Sequence, residues 1–273
     1  MLDLSISIVV FKNNPDHVRQ AIESALDNTI NLKIFLVDNS PTDSLRALAS
    51  SPKVEYLFNG ANLGFGKAHN LVMQKAVDTS KYHLVLNPDV YFGKGTLDKL
   101  FHFMEANPDV GHVMPQILYP DGRIQHLCKL LPSPIDLVFR RFFPWMPGAA
   151  SRNEIYELRP TGYNKIMNIP FLSGCFMFLR CSVLKEVGFF EEKIFMYVED
   201  VDLSRRIHLR KKTIFYPEAQ INHYYHKGSY KNLKLMFFAI HGAFIYFNKW
   251  GWFFDRQRQD INRRVLSQYL PEH

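Results

Sequence analysis

The sequence predicts an α/β protein built on an open, mostly parallel sheet flanked by helices. Short apolar runs alternate with amphipathic segments through the first half of the chain, which is the pattern of strand–helix units. Polar residues and carboxylates follow several of the apolar runs, at the strand ends where open α/β sheets bind ligands. A strongly apolar stretch and then a basic one follow from about residue 233. We therefore expect a main domain over residues 1–230 and a C-terminal amphipathic helical appendage over residues 231–273.

Local signals predict the individual elements. Leu4 to Phe11 is a β-branched apolar run, and Asn14 before Pro15 is a helix N-cap followed by proline at the first helical position. Gly188 ends a helix that begins near Ser182. By the same reasoning we expect further strands at residues 33–37, 54–58, 83–86, 110–116, 169–179 and 213–216, a hairpin turn at Asp121-Gly122, and further helices through Ala49, through Val77, over residues 96–105 and from about Glu199.

Three loops lie where an open sheet would bind a ligand. Asp38 follows the second strand, residues 59–66 form a glycine-bearing loop before a helix, and Asn87-Pro88-Asp89 follows the fourth strand. Aspartate and asparagine also form ordinary turns, so the pattern alone leaves both interpretations open. Residues 128–168 contain several prolines and no clear periodicity, and an irregular connection of that length is typical of a functional loop.

The segment 196–207 places three carboxylates in four positions beside apolar and aromatic residues. Asp200 shares a helix face with the apolar residues three and seven positions later, so it is either a catalytic acid or a buried structural acid satisfied by backbone amides. Asp202 faces elsewhere and is spaced to form a solvated i, i+4 salt bridge with Arg206. Glu199 would complement the helix dipole.

Composition limits the compartment and the partners. The three cysteines have neither a disulfide nor a metal-binding spacing, which favours a reducing compartment. The N-terminal residues lack a basic region before their apolar run, so we expect no signal peptide and a cytoplasmic location. The formal net charge of +7 indicates an anionic partner: a phosphorylated ligand, a membrane surface or nucleic acid.

The stretch 233–247 is almost entirely apolar and aromatic. It is too short to span a bilayer comfortably, and Lys234 and His241 interrupt it. Two interpretations remain open: an interfacial helix that docks on an anionic membrane, or a core helix with a solvated basic tail. The residues that follow, with the composition of an interfacial segment, are Lys249, Trp250, Trp252, Phe253, Phe254, Arg256, Arg258, Arg263 and Arg264.

Taken together, these stretches resemble the family 2 glycosyltransferases, in particular the bacterial rhamnosyltransferase-like branch that builds surface polysaccharides. The resemblance runs from about Ser5 to Lys249. It is specific through the order and spacing of short motifs, which are Ile34-Phe-Leu-Val-Asp38-Asn-Ser, Asn62-Leu-Gly64-Phe-Gly66 with Asn70, Leu86-Asn-Pro-Asp89, Pro120-Asp-Gly122, Ser173-Gly174 and Phe195-Met-Tyr-Val-Glu199-Asp200-Val-Asp202-Leu.

The resemblance implies a GT-A-like fold and a nucleotide-diphosphate sugar donor. Asp38 matches the aspartate that holds the base or ribose of the nucleotide. The residues that would line the donor site besides Asp38 are Asn62, Gly64, Gly66, Asn70, Asn87 and Asp89. Lys12 departs from the family, which usually has tyrosine after the first strand.

The resemblance also implies a divalent cation, Mg²⁺ or Mn²⁺, bridging the donor diphosphate. Asp89 matches its carboxylate ligand, and a hard cation prefers such oxygens. Asn87 stands where a second acid is usual. His223 matches a histidine that completes the metal site in related members, although a lone histidine is more often structural. Asp200 matches the general base that takes the acceptor hydroxyl proton.

The implied activity is inverting transfer of a sugar to a hydroxyl of a glycan or lipid-linked acceptor, with L-rhamnose from dTDP-rhamnose as the expected donor. The setting would be polysaccharide synthesis, including O antigen, in the cytoplasm or peripherally on the cytoplasmic face of the inner membrane. A dinucleotide-dependent oxidoreductase is disfavoured because the glycine loop lacks a third glycine and does not follow the first strand. The remaining alternatives are a basic nucleic-acid-binding protein, which would leave Asp38, Asp89 and Asp200 unexplained, and a non-catalytic nucleotide- or sugar-binding module. We expect no nucleic-acid partner.

Overall fold

The computed structural model describes residues 1–137, 145–224 and 233–270. Its strands are β1 Leu2–Val10, β2 Leu32–Asp38, β3 Val54–Phe58, β4 Ser80–Leu86, β5 Val90–Tyr91, β6 Val110–Leu118, β7 Cys128–Lys129, β8 Met167–Asn168, β9 Phe171–Leu172, β10 Phe176–Arg180 and β11 Lys212–His223. The helices are α1 Pro15–Leu26, α2 Phe65–Thr79, α3 Thr96–Ala106, α4 Ala149–Tyr156, α5 Cys181–Val187, α6 Glu199–His208, α7 Leu233–Trp250 and α8 Arg256–Tyr269.

Among the described residues, nine strands form one sheet in the order β3-β2-β1-β4-β10-β6-β11-β5, with β8 paired to β11. Strands β3, β2, β1 and β4 are parallel neighbours, and β6 and β11 are parallel to each other. Strand β10 is antiparallel to both β4 and β6, so those six strands all run in one direction. The mostly parallel sheet flanked by helices is confirmed.

Two apolar layers cover the faces of the sheet. The larger contains the buried side chains of α1 and α3, including Val18, Ile22 and Leu100. The other joins α2, α5 and α6 to β4 and β10, with Met73, Leu203 and other side chains fully buried. With helices on both faces, the carboxyl ends of the parallel strands form the natural place for a site.

Most local predictions are confirmed. The side chain of Asn14 accepts a hydrogen bond from the Asp16 N–H and caps α1. Gly188 ends α5 with φ of 79°, and Gly122 adopts φ of 84° in the hairpin turn. The predicted helix through Ala49 is wrong: only a 3₁₀ turn, Arg46–Leu48, forms there. It has no side-chain cap and no buried residue, so nothing in the packing extends it.

Two other regions differ in detail from the prediction. The run 169–179 is two strands, β9 and β10, because Ser173-Gly174 turns the chain between them. The stretch 128–168 is not wholly irregular, since it contains β7, α4 and β8 among its described residues. The three cysteines are free and buried, in agreement with the absence of a disulfide spacing.

The C-terminal helices pack onto the main domain. Arg205 of α6 forms a buried bidentate ion pair with Asp255, at distances of 2.7 and 2.8 Å, and its guanidinium lies over the Trp250 ring. Asn262 of α8 exchanges two hydrogen bonds with the backbone of Leu131. The expected boundary between residues 230 and 231 lies outside the described residues. Within the described ranges, none of the helices combines the length and the hydropathy that crossing a bilayer requires.

Candidate active site

The predicted site residues lie around the carboxyl ends of the parallel strands. Asp38 ends β2, Asn87 and Asp89 follow β4, and His223 ends β11. The Asn87 N–H donates to the carbonyl of Cys175 at 2.9 Å, and the neighbouring Gly174 N–H donates to Asp200 Oδ2 at 2.9 Å. The chain segment Gly174-Cys175 therefore connects the β4 loop to the predicted general base.

Asp200 is held by backbone amides. Its two oxygens accept from the N–H groups of Gly174 and Val201, each at 2.9 Å. Burial raises the pKa of Asp200, while the Gly174 N–H and the charge of Lys129 oppose that rise. Both of the alternatives left open by the sequence, a catalytic acid and an acid satisfied by amides, are thus compatible with this geometry. The residue as a whole remains partly exposed.

Glu199, next to Asp200, is almost completely buried. Its Oε2 atom has no hydrogen-bond partner among the described residues. Burial and the adjacent Asp200 charge raise the pKa of Glu199 well above its usual range. Two neighbouring carboxyls whose environments separate their pKa values can hold different protonation states, with Glu199 neutral while Asp200 is ionised.

The turn before α6 is strained. Tyr197 and the β-branched Val198 both have φ of 72°, in the left-handed region that such side chains rarely adopt. A Cβ on Gly64 would lie 2.4 Å from the Phe195 carbonyl oxygen, and a Cβ on Gly242 would lie 2.7 Å from the Tyr197 carbonyl oxygen. Gly64, before α2, and Gly242, in α7, therefore let their backbones pack closely against this turn, because neither has a Cβ. Strain maintained by its surroundings is common at functional sites.

Asp202 corrects the prediction of a solvated salt bridge. Its side chain is 1% exposed, and it accepts from Arg206 Nε at 2.9 Å, as the i, i+4 spacing predicted. It also accepts from Lys249 Nζ at 2.8 Å and from Trp250 Nε1 at 2.7 Å. Helix α7 covers the face that α6 alone would leave open, so Asp202 is a buried anchor between the two helices.

Asp38 is fully buried. Its oxygens accept from the Tyr56 hydroxyl at 2.6 Å and from the Ser40 N–H at 2.7 Å. Burial and the Asp38 carboxylate raise the pKa of Tyr56, so this phenol stays protonated and donates. Beside it, a surface cleft of about 370 Å³ is lined by Lys12, Asn13, Pro15, Ser40, Pro41, Thr42, Ser44 and Leu45.

The glycine-bearing loop is held by asparagines, two of which the sequence analysis did not identify. Asn39 donates to the Gly64 carbonyl at 3.0 Å and accepts from Asn59 at 2.8 Å. Asn62 Oδ1 accepts from the Gly64 N–H at 3.0 Å in a local turn. The hydrogen bonds of Asn39 and Asn59 join separate loops, and the spacing of residues along the chain gives no signal for such contacts.

Asn70 lies away from the loop and holds the segment that precedes α6. Its amide donates to the Phe190 carbonyl at 3.0 Å and accepts from the Phe190 N–H at 3.1 Å. A Cβ on Gly66 would lie 2.8 Å from Phe190 Cβ. Asn70 therefore positions the backbone of Phe190 through its side-chain amide, and Gly66 lets Phe190 approach closely because it has no Cβ.

Asp89 and His223 are brought together. Asp89 Oδ1 lies 3.4 Å from His223 Nε2, and His223 Nδ1 lies 3.0 Å from Gln125 Oε1. Burial alone would lower the pKa of His223, but the nearby Cys175 and Asp89 outweigh it and raise the pKa to about 10. For Asp89, burial is outweighed by His223, and the pKa of the carboxyl is lowered.

Asp89 and His223 would hold part of a divalent-cation site if the cation displaced the proton of His223, because a histidine ligand must be neutral. Asp89 would supply the carboxylate oxygen that a hard cation prefers, and its Oδ1 lies 3.4 Å from His223 Nε2. Over the ranges that the structure describes, no cluster of three or more His, Cys, Asp or Glu could hold a metal ion. The remaining ligands would therefore have to come from the donor diphosphate and water, which is how Mg²⁺ is commonly bound with nucleotides.

Lys129 carries a charge that acts on the predicted base, and the sequence analysis did not identify it. Strand β7 pairs with β9, which places Lys129 opposite Phe171 with Nζ 5.3 Å from the centre of the ring. Its charge acts on Asp200, as described above. Lys129 lies in the stretch that the sequence suggested was a functional loop, but no motif distinguished it from other lysines.

The sequence matches a known protein family and a characterised relative. The model of glycosyl transferase family 2 matches residues 6–188. The N-acetylglucosaminyl-diphospho-decaprenol L-rhamnosyltransferase of Mycobacterium tuberculosis is 31% identical in an alignment of 240 residues that covers 81% of this chain and 76% of that protein.

Solved structures agree on the fold. The structure of S. aureus TarS superposes with a TM-score of 0.61 at 15% identity, over 98% of this chain and 43% of that one. The structure of GalNAc-T7 with UDP, GalNAc and Mn²⁺ superposes with a TM-score of 0.61 at 14% identity, over 84% of this chain and 45% of that one. The chain thus spans less than half the length of either structure. The predicted GT-A-like fold is confirmed.

Proposed function

Because this chain belongs to glycosyltransferase family 2 and is a glycosyltransferase, we propose that it moves a sugar from a nucleotide-diphosphate donor to an acceptor hydroxyl with inversion. The observation that carries the proposal is Asp200. Its carboxylate is fixed by two N–H groups at the carboxyl edge of the sheet, and the raised pKa brings its basicity nearer to neutral pH.

In this mechanism Asp200 removes the proton of the acceptor hydroxyl as its oxygen attacks the anomeric carbon. The attack comes from the face opposite the leaving nucleotide diphosphate, so the configuration inverts and no covalent intermediate is needed. Glu199 stays protonated beside it and adds no second negative charge. The strained turn at Tyr197 and Val198 fixes the start of α6, and therefore the position of the base.

The donor would occupy the edge between the Lys12–Leu45 cleft and Asp89. The cleft and the loop around Asn62 would receive the nucleoside, with Asp38 and Tyr56 forming the adjacent wall. Asp89 and His223, with Asn87 beside them, would hold Mg²⁺ or Mn²⁺ at the diphosphate. Such a cation neutralises the diphosphate and makes it a better leaving group.

For the donor sugar we propose L-rhamnose from dTDP-rhamnose, and for the acceptor a lipid-linked glycan in polysaccharide synthesis. The support is the name of the mycobacterial relative, an L-rhamnosyltransferase that acts on a diphospho-decaprenol. We also propose that the enzyme works peripherally at the cytoplasmic face of the inner membrane, where such an acceptor would be met.

The test is a screen of nucleotide sugars for donor hydrolysis and for transfer, with wild type and Asp200→Asn. This substitution is nearly isosteric, so donor affinity and melting temperature should be retained while kcat falls on the order of 10²- to 10⁴-fold. Normal turnover in Asp200→Asn, with loss in Glu199→Gln instead, would assign the base to the other carboxyl. No hydrolysis or transfer with any nucleotide sugar would refute the proposed activity.

A further inference from the structure

One face of α7 is apolar and is not covered by any part of the chain that the structure describes. Leu233, Phe237, Ile240 and Phe244 follow the i, i+4, i+7, i+11 spacing of a single helix face, and each is more than half exposed. On the other side of the helix Gly242 and Tyr246 are buried against the rest of the protein, and Phe247, one turn after Phe244, is also buried, with its ring 5.3 Å from that of Trp252. Helix α7 is therefore attached by one side and presents large apolar side chains on the other.

The exposed face continues beyond the helix. The Phe244 and Trp252 rings are in edge contact, with their centres 5.6 Å apart, and Trp252 is followed by the exposed Phe253 and by Phe254, which is 97% exposed. We call these seven side chains, Leu233, Phe237, Ile240, Phe244, Trp252, Phe253 and Phe254, the aromatic stripe. Monomeric proteins seldom expose so continuous an apolar surface without a binding partner.

The charged side chains in the segment that carries the aromatic stripe have one sign. Residues 219–254 contain no aspartate or glutamate and include four lysines, of which Lys234 is exposed on α7 itself and Lys249 is paired with Asp202. The next acid, Asp255, is buried and paired with Arg205. Arg256 is exposed directly after it. No exposed carboxylate of this segment would oppose an anionic partner.

We propose that the aromatic stripe is a membrane-docking surface that inserts into the headgroup region of an anionic bilayer. Aromatic and aliphatic side chains beside lysine and arginine are the composition that binds such interfaces. A second copy of the chain is a poorer occupant, because it would bring the same lysines together without a compensating acid.

Docking through this face would also place the membrane near the chemistry. Gly242, on the attached side of α7, contacts the carbonyl of Tyr197 in the turn before the base. A helix with its side chains is about 10 Å across, so the aromatic stripe lies roughly one helix diameter from that turn. A lipid-linked acceptor would thus meet the enzyme from the bilayer side. This last point rests on the proposed function, whereas the docking itself does not.

The experiment measures co-sedimentation of the full chain with vesicles of phosphatidylglycerol and phosphatidylcholine, and with phosphatidylcholine alone. Wild type should bind the anionic vesicles, and more weakly as salt is raised. The double substitution Phe237→Ser, Phe254→Ser should weaken binding by about tenfold or more, since two inserted rings are lost. Ile155→Ser, an exposed apolar residue of α4 outside the aromatic stripe, is the matched control and should bind as wild type does.

Donor hydrolysis without vesicles, melting temperature and sedimentation velocity are recorded for each variant. Equal vesicle binding by wild type and the double variant would overturn the proposal. So would a wild-type oligomer that the double variant dissociates while vesicle binding is unchanged, because a second copy would then cover the aromatic stripe. Vesicle binding that requires the aromatic stripe, in a protein that hydrolyses no donor, would support the docking surface and refute the proposed function alone.

Discussion

Substitution of Asp202 tests whether the contact between α6 and α7 is a buried anchor. The carboxylate is 1% exposed and accepts hydrogen bonds from Arg206, Lys249 and Trp250. Asp202→Ala removes all of these acceptors and leaves the Arg206 side chain, 15% exposed, without its carboxylate. Asp202→Asn keeps an oxygen for the Trp250 N–H but removes the negative charge.

The magnitude follows from burial. Removing one partner of a buried ion pair costs about 3–5 kcal/mol. The Lys249 side chain is 37% exposed and can turn to water, so its share is discounted, and we expect about 2–4 kcal/mol for Asp202→Ala. At roughly 2–4 °C per kcal/mol for a chain of this size, the melting temperature of Asp202→Ala should fall by about 4–16 °C, and that of Asp202→Asn by less.

Thermal unfolding followed by circular dichroism gives the measurement. Asp16→Asn is the matched control, because Asp16 pairs with Arg19 on α1 while 78% exposed, and it should shift the melting temperature by no more than about 1 °C. If Asp202→Asn and Asp202→Ala both melt within that range, Asp202 is solvated as the helix spacing alone suggested. The burial argument would then be wrong.

Three further outcomes are expected. Asp89→Ala should weaken nucleotide-sugar binding in titration calorimetry by about tenfold while sparing the free nucleoside, and chelation of divalent cations should abolish the difference; equal affinities would remove Asp89 from the site. Turnover should fall at acidic pH as Asp200 is protonated. Because the lysine charge lowers the pKa of Asp200, Lys129→Met should move the acidic limb of the pH–rate profile to higher pH, while Lys129→Arg should not. Burial lowers the pKa of His112 to about 3. Below about pH 6.5 this histidine therefore binds a proton in the unfolded chain but not in the folded chain. Between about pH 7 and pH 5 this residue should therefore lower the free energy of unfolding by about 2 kcal/mol. In urea unfolding at the two pH values, the free energy of unfolding of His112→Leu should fall by less than that of wild type.

Signals confined to a few neighbouring residues could be interpreted from the sequence. Asn14 before Pro15, Gly188 after an amphipathic run, and the Asp121-Gly122 turn each specify backbone geometry locally, and all three are confirmed. The parallel strands could be predicted for the same reason, since buried apolar runs alternate with helices. The antiparallel insertion of β10 could not, because no local pattern determines which strands a short apolar run joins.

The site shows the same limit. The spacing of Asp202 and Arg206 predicted their pairing, but the cover supplied by Lys249 and Trp250 comes from 47 and 48 residues further along the chain. Asn70 and Gly66 carry the resemblance, yet their amide and open face contact Phe190, about 120 residues away. Motif positions could therefore be identified from the sequence, while the partner of each one required the tertiary structure.

The turn at Tyr197 and Val198 has a consequence for how the enzyme assembles during synthesis. Gly242, which packs against Tyr197, and Asp255, which pairs with Arg205, leave the ribosome about 45 and 50 residues after those partners. Until they arrive, Arg205 lacks its carboxylate partner and the left-handed turn lacks its support. A nascent chain with its sheet already formed is consequently expected to be inactive, because Asp200, the proposed base, gains its final position only when α7 docks.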